Sequence, residues 1–510
     1  WQRNLLTPCV NRTCNRPMLH YPRSMTELQH AAKATRPRIQ PAEEGDRRPL
    51  SVSARLGRLQ FHQSGKFRVL QFADIQDGPK VSKDTISLIE ASLDATRPDL
   101  VIFNGNQIAG YDSAYALTFR KRRWDARPAS ASSEASGERY AAALEHTREL
   151  VRATIEQLVH PLADRGVPWA VTFGNHDFQC GLDNAEIESI CREFPGCINP
   201  ERAADGTTGI AVKHGVKHDV GDMEQDFGLP EQPVIACAPG TFALPVTDVD
   251  RTYGVLGLVL LDSGDYARSG GYGSPSEAAL RFLADAPGLA AQSQQLQQDR
   301  QDEQDSPREP RKTPSTLPCM VFQHFPIEQY YRLLKPVAAT AARAIEGYRN
   351  FAGRHFVLNE DKTQPGSYLG EGVSCPDADS GEFAILDKAG YFAISAGHDH
   401  RNAFVGSVPV GTDGDRQMVM VASPTSGFGS YGPVPAKRAA RLFEFDIRHP
   451  YSPRTQLLEY DELVGKPSAG KAYAYGMTSE SKPDSEGMDL LHRPTWWSKT
   501  WNKLVSLFRR

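Results

Sequence analysis

Short apolar runs and longer amphipathic stretches alternate through the first third of the chain. Residues 67–73 form an apolar run suited to a buried strand, and a helix is predicted from about Ser82, with that serine at the N-cap. A second strand covers 99–104. A long helix over 138–164 follows, with Leu144, Val151, Ile155, Leu158 and Leu162 on one face and Gly166 where a C-terminal cap belongs. The next strand, 168–173, comes at once. Strand, helix, strand, helix, strand is the rhythm of right-handed βαβ units, so this half is predicted to be an α/β sheet with parallel strands.

Further strands are predicted at 254–261, 318–323 and 391–396. After His400 the chain shifts to short strands set off by Gly and Pro, at 417–422 and 439–447, a pattern of mainly antiparallel pairing. Residues 1–65 are rich in Arg, Pro, Thr and Gln without a sustained period, and read as a disordered or loosely attached arm. A domain over 66–465 is expected, carrying a basic then Ser/Ala-rich surface insertion near 120–137. A Gln-, Asp- and Arg-rich solvated loop is expected at 292–313, and a tail at 466–510.

Composition narrows the class. The 510 residues are 40% hydrophobic and 24% charged, as in ordinary globular proteins. A formal net charge of −4 offers no electrostatic case for nucleic acid as a partner. No apolar run is long enough to span a membrane, and the first residues lack a charged start before an apolar core, so a cytoplasmic protein is expected. Among the eight cysteines there is no C-x-x-C pair. Cys180, Cys191 and Cys197 cluster, where a disulfide or, by preference, buried thiols would fit.

Five polar clusters each follow a strand: Asp74-Ile75-Gln76, Gly105-Asn106-Gln107, Gly174-Asn175-His176-Asp177, Gln323-His324 and Gly397-His398-Asp399-His400. Functional groups of α/β proteins gather at such strand ends. The clusters offer carboxylate, amide oxygen and imidazole, too many donors for one tetrahedral zinc and suited to two adjacent ions that activate water against a phosphoester. Glycine before Asn106, Asn175 and His398 lets the backbone turn sharply and brings the next side chain close.

In order and spacing these clusters resemble the signature of the calcineurin-like metallophosphoesterases: D-x-H, G-D, G-N-H-D/E, a lone His, then G-H-x-H. A finer resemblance is to the purple-acid-phosphatase-like branch, through residues 261–266 and the Cys375 to Phe383 stretch. The resemblance implies a four-layer α/β/β/α sandwich. It also implies a first metal held by Asp74, Gln76, Asn106 and His400, and a second held by Asn106, Asn175, His324 and His398. His176 would touch the phosphate and protonate the leaving oxygen, oriented by Asp177. Two positions depart from the family: Gln76 stands for His and Asn106 for the bridging Asp. An amide offers one neutral oxygen where a carboxylate offers two anionic ones, so metal binding is expected to weaken, with one or two ions per chain. Gln76 as an oxygen donor shifts preference toward Mn²⁺ or Mg²⁺, with Fe or Zn within the family's range. Asp77 could restore part of the charge, though strand alternation points it elsewhere.

The leading expectation is therefore metal-dependent hydrolysis of a small phosphomonoester, with a phosphodiester second. The alternative is a catalytically impaired binding or scaffold protein. Asp112, Asp262, Asp265 and Tyr266 are expected to shape loops, His214 and His218 to be solvent-exposed, and Lys121-Arg122-Arg123 to be solvated rather than to grip an anion. Residues 496–510 place Trp497, Trp501, Leu504, Val505 and Phe508 on one face among basic residues. That suits either peripheral membrane contact or docking on the protein's own surface.

Overall fold

The computed structural model describes residues 48–125, 134–201, 209–212, 229–302, 314–412, 414–466 and 490–491. The chain divides into Trp1–Arg48 and Pro49–Arg510, and every described element belongs to the second unit. Order begins earlier than the expected boundary at residue 66. A short helix α1 (Val52–Leu56) is capped by Ser51, whose hydroxyl accepts from the Ala54 amide. Leu59 and Phe61 then enter the core completely. Their alternation is only one period long, too short to stand out from the arm.

Strand β1 (Lys66–Phe72) leads through α2 (Lys83–Thr96) to β2 (Leu100–Asn104), and through α3 (Glu134–Asp164) to β3 (Trp169–Thr172). β1, β2 and β3 are parallel neighbours, as the βαβ rhythm requires. Ser82 sits at the N-cap of α2, but its side chain makes no capping bond. Asp77 caps instead, accepting from the Ser82 amide at 3.0 Å and the Thr85 hydroxyl at 2.7 Å. α3 begins four residues before the expected start and buries Val151, Ile155, Leu158 and Leu162. Gly166 just beyond it takes the left-handed φ of 59° that a helix end favours.

After α4 (Asn184–Cys191) the second sheet builds through β4 (Gly209–Val212), β5 (Pro233–Ala238), β6 (Thr241–Thr247) and β7 (Gly254–Leu261). It continues, past α5 (Glu277–Asp302), with β8 (Cys319–Gln323). α5 corrects the expectation of a loop from residue 292: residues 292–302 continue the helix, because Gln, Leu and Arg propagate a helix well once an apolar face has anchored it. Strands β9 (Leu334–Val337), β10 (Ile345–Glu346) and β11 (His355–Leu358) make a small separate sheet. The large sheet resumes after α6 (Glu382–Ala389) with β12 (Ala393–Ala396), β13 (Phe404–Val410) and β14 (Arg416–Ala422). β15 (Ala439–Asp446) and β16 (Arg454–Glu459) return to the first sheet, ahead of the short α7 (Tyr460–Leu463). The sheet orders are β16-β15-β1-β2-β3 and β13-β14-β12-β8-β7-β6-β5-β4.

Both sheets need cover on two faces because their central strands are apolar on both. Along β7, Leu256, Leu258 and Leu260 face the other sheet while Val259 and Leu261 face α5. Phe322 of β8 meets Phe443 of β15 edge-on at 5.4 Å in that shared core. Valines and leucines of α3 cover the outer face of the first sheet, and Phe282, Leu283 and Leu386 of α5 and α6 cover the second. The result is the α/β/β/α sandwich. Among the described residues no helix is long and apolar enough to cross a membrane. Cys180 and Cys191 are buried free thiols, and Cys197 is buried with its sulfur 3.9 Å from Asn199 Oδ1. His214, His218 and the amphipathic segment 496–510 lie outside the described residues.

Phe61→Ala tests whether the segment before β1 belongs to the core. Loss of a fully buried ring of this kind costs about 3–5 kcal/mol. Chemical denaturation is expected to show a midpoint lowered accordingly, and an unchanged midpoint would return residues 49–65 to a loose arm.

Candidate functional site

The five clusters meet because the parallel strands β1, β2 and β3 of one sheet and β8 and β12 of the other end on the same side. The loops are stitched together by backbone: the Asp74 amide donates to Gly105 O at 3.2 Å, and the Gly397 amide to His324 O at 3.1 Å. Four of the seven candidate ligands, Asp74, Gln76, Asn106 and His398, have left-handed backbones with φ of 52°, 45°, 54° and 70°. Such conformations cost free energy in non-glycine residues and persist where the surroundings impose them. Two glycines make the close approach sterically possible. A Cβ on Gly105 would lie 2.5 Å from His324 Nδ1, and one on Gly174 2.2 Å from Asn106 Oδ1.

Asn106 is the centre. Its Oδ1 accepts from the His176 amide at 2.9 Å, which turns Nδ2 toward the cluster. Nδ2 lies 2.9 Å from His324 Nε2, 3.1 Å from Asp74 Oδ1 and 3.3 Å from Asn175 Oδ1. Two N–H bonds therefore face three acceptors. The histidines add to that surplus. His324 Nδ1 donates to Asn104 O at 3.2 Å and His400 Nδ1 to Tyr431 O at 2.7 Å, and a carbonyl can only accept. Both Nε2 lone pairs are thus aimed inward, that of His400 at 3.4 Å from Asp74 Oδ1. His398 Nε2 is buried without a hydrogen-bond partner, while its backbone amide donates to Asp74 Oδ2 at 2.6 Å.

A surplus of buried acceptors around one carboxylate is what a cation satisfies. One ligand atom each from Asp74, His324 and His398 lies within 4.8 Å of the others, a set suited to one ion. A two-ion centre fits less well, because the bridging position presents N–H rather than oxygen. Gln76 does not join the cluster: its Oε1 faces the Tyr111 hydroxyl at 3.5 Å. Asp77 is engaged at the α2 cap and brings no charge to the centre. Burial pushes the Asp74 carboxyl up, but His324, His400 and His398 outweigh it and hold it well below the usual carboxylate range.

His176 is half-buried beside this cluster, its ring 4.8 Å from that of Tyr111. Asp177 does not orient it, contrary to expectation. The Asp177 carboxylate is a loop clamp, accepting from the amides of Asn106, Gln107, Ile108 and Gly174 at 2.8–3.2 Å. Burial pushes its carboxyl up to about 7, against the pull of those four donors. The orienting residue is Gln179, whose Oε1 accepts from His176 Nδ1 at 2.7 Å while its Nε2 donates to Lys121 O at 3.0 Å. His176 Nε2 is left as an acceptor, 3.2 Å from Asn175 Nδ2. Gln179 was legible only as the residue three after the histidine, a spacing that matters because 177–180 is a single 3₁₀ turn. Three tyrosines escaped notice: Tyr111, Tyr272 and Tyr431 pack against His176, His398 and His400. Tyr266 accepts from Asn175 Nδ2 at 2.8 Å.

No family model matches the chain. Among curated proteins it is similar to Phosphatase DCR2 of Saccharomyces cerevisiae, 22% identical over 385 residues, which are 70% of this chain and 47% of that one. It is 22% identical over 409 residues to Probable inactive purple acid phosphatase 28 of Arabidopsis thaliana, covering 76% of this chain and 77% of the relative. With the plant's Probable inactive purple acid phosphatase 29 the match is 19% over 479 residues, 90% and 92% of the two chains. The curated relatives that the chain resembles are thus phosphatases or purple-acid-phosphatase-like proteins. The chain spans about half the length of the yeast relative and most of the plant ones. The solved structure of PhoD overlaps 78% of this chain at 9% identity and a TM-score of 0.36. The five clusters fall at strand ends as the motif order implied, and the two altered positions, Gln76 and Asn106, are the ones whose side chains present no acceptor atom to the shared centre.

Two outcomes follow from this geometry. Burial lowers the His176 imidazole to about 4 by disfavouring its charged form, so its NMR signals in metal-free protein are expected to stay put from pH 8 to 5.5. A midpoint near the ordinary value would contradict that. Asp177→Ala strands four amides, each unmade buried bond costing about 1–3 kcal/mol. Thermal unfolding is expected to show a large destabilisation, and wild-type stability would remove the clamp.

Proposed function

We propose that this chain binds small phosphate esters at a centre for one divalent ion and hydrolyses them poorly. The observation that carries the reading is the orientation of Asn106, with Oδ1 held by the His176 amide and Nδ2 turned to the acceptors. Asp74, His324 and His398 would hold the ion, which when bound supplies Lewis-acid polarisation of a phosphoryl oxygen. Two imidazoles and a carboxylate suit Mn²⁺, Fe²⁺ or Zn²⁺ better than Mg²⁺. The oxygen of Gln76, which had favoured harder ions, is turned to Tyr111.

His176 supports the same reading from the proton side. Its Nδ1 proton goes to Gln179, so Nε2 has none to give a leaving oxygen unless the ring is charged, and burial opposes that charge. Asn175 keeps the ring in place through Nε2, its other N–H going to the Tyr266 hydroxyl. The impaired proton donor and the missing bridging carboxylate act in one direction. The words "probable inactive" in the names of the plant relatives agree with it. A full hydrolase is the second reading, favoured by the retention of His176 and Asn175 side by side at the strand end.

Elemental analysis after dialysis is expected to find no more than one divalent ion per chain, lost in His398→Ala. The double variant Asn106→Asp with Gln76→His is expected to bind a second ion and to raise turnover of an aryl phosphate by roughly 10²-fold, the scale of one preorganised charge at a reacting centre. Wild-type turnover already at the level of the double variant would favour the hydrolase. Flat turnover with rising metal content would mean that the pocket is shaped for binding alone.

A further inference from the structure

The basic run Lys121-Arg122-Arg123 does not float in solvent. The Arg120 amide donates to Gln179 O at 3.0 Å and Gln179 Nε2 to Lys121 O at 3.0 Å, so the run is sewn to the residue that orients His176. The Thr118 hydroxyl donates to Cys180 O at 2.6 Å and extends the seam. Asp125 closes the turn by accepting from the Arg122 amide at 2.8 Å.

Within this fixed turn the three cations have different fates. Lys121 is exposed. Arg123 is engaged by Asp265, with Asp262 at 3.8 Å. Arg122 makes no ion pair among the described residues; one terminal nitrogen donates to Lys121 O at 3.2 Å. Its guanidinium carbon lies 3.7 Å from the centre of the Tyr266 ring. Arg122 also hydrogen-bonds Tyr266, and a guanidinium laid on an aromatic face keeps its remaining N–H groups available for a phosphate. The Tyr266 platform is itself anchored to Asn175, and its ring centre is 6.5 Å from that of His176.

Charge gives this placement a purpose. A phosphate dianion beside Asp74 and one divalent ion leaves the centre with a net negative charge, which one guanidinium cancels. We infer that Arg122 is the phosphate-binding cation of this site, taking the electrostatic place of a second ion, with Tyr266 as its positioning residue. The inference rests on the phosphate-binding reading above.

Isothermal titration of inorganic phosphate into the Mn²⁺-supplemented full chain tests it. Arg122→Gln is expected to weaken binding about tenfold to a hundredfold, as loss of a charge-assisted pair does. Arg122→Lys is expected to recover part of the affinity, because an ammonium keeps the charge but not the fork. Arg123→Gln, whose cation is already paired, is expected to leave affinity within about twofold, the scale of an exposed ion pair. An Arg122→Gln variant that binds phosphate like the wild type overturns the assignment. So does an equal loss in Arg123→Gln, which would mean diffuse attraction. No phosphate binding by the wild type overturns the phosphate-binding reading and this assignment with it, whereas the first two results leave that reading standing.

Discussion

The hydrogen bond from the His176 amide to Asn106 Oδ1 decides which end of that carboxamide faces the strand ends, and the character of the whole centre depends on it. With the oxygen held outward, the nitrogen occupies the point where Asp74, Asn175 and His324 converge. A carboxylate in the same place would bring oxygen to that point and attract cations from either side. The amide instead lends two weakly positive N–H groups to a ring of acceptors, holding four loops together by hydrogen bonding. The centre is thus part cross-link and part ligand cage.

What remains uncompensated lies to one side of that amide. His398 Nε2 has no partner, and the His400 Nε2 lone pair points inward because a carbonyl takes its Nδ1 proton. Buried lone pairs without donors are costly, and the left-handed backbones at Asp74, Asn106 and His398 add strain. A fold retains such features where they serve binding. Tyr272 meets His398 edge-on, Tyr431 stacks on His400, and the Arg122 guanidinium lies on Tyr266.

The strand-end motifs were readable because chemistry and topology coincide in them: polar residues follow apolar runs at the ends of β1, β2, β3, β8 and β12, and parallel strands end on one side. The buried strands showed themselves as apolar runs for the same reason, cover on both faces. Weak or local signals misled. Leu59 and Phe61 alternate over too few residues to announce a core segment, and the polar end of α5 carries no apolar stripe even though its residues favour helix.

Resemblance to the metallophosphoesterases implied the α/β/β/α layering and the departures at Gln76 and Asn106, whereas by itself the order of residues determined the βαβ strands and helices and the five polar clusters at strand ends. It could do so because periodicity and residue type are local properties. Direction is not local. Which end of the Asn106 amide faces inward, that Asp177 clamps backbone while Gln179 orients His176, and that among the described residues Arg122 makes no ion pair while Arg123 pairs with Asp265 were decided only by the folded chain. Apart from the Gln179–His176 contact, which lies within one turn, each depends on groups tens to hundreds of residues away, whose geometry exists only once both sheets have packed.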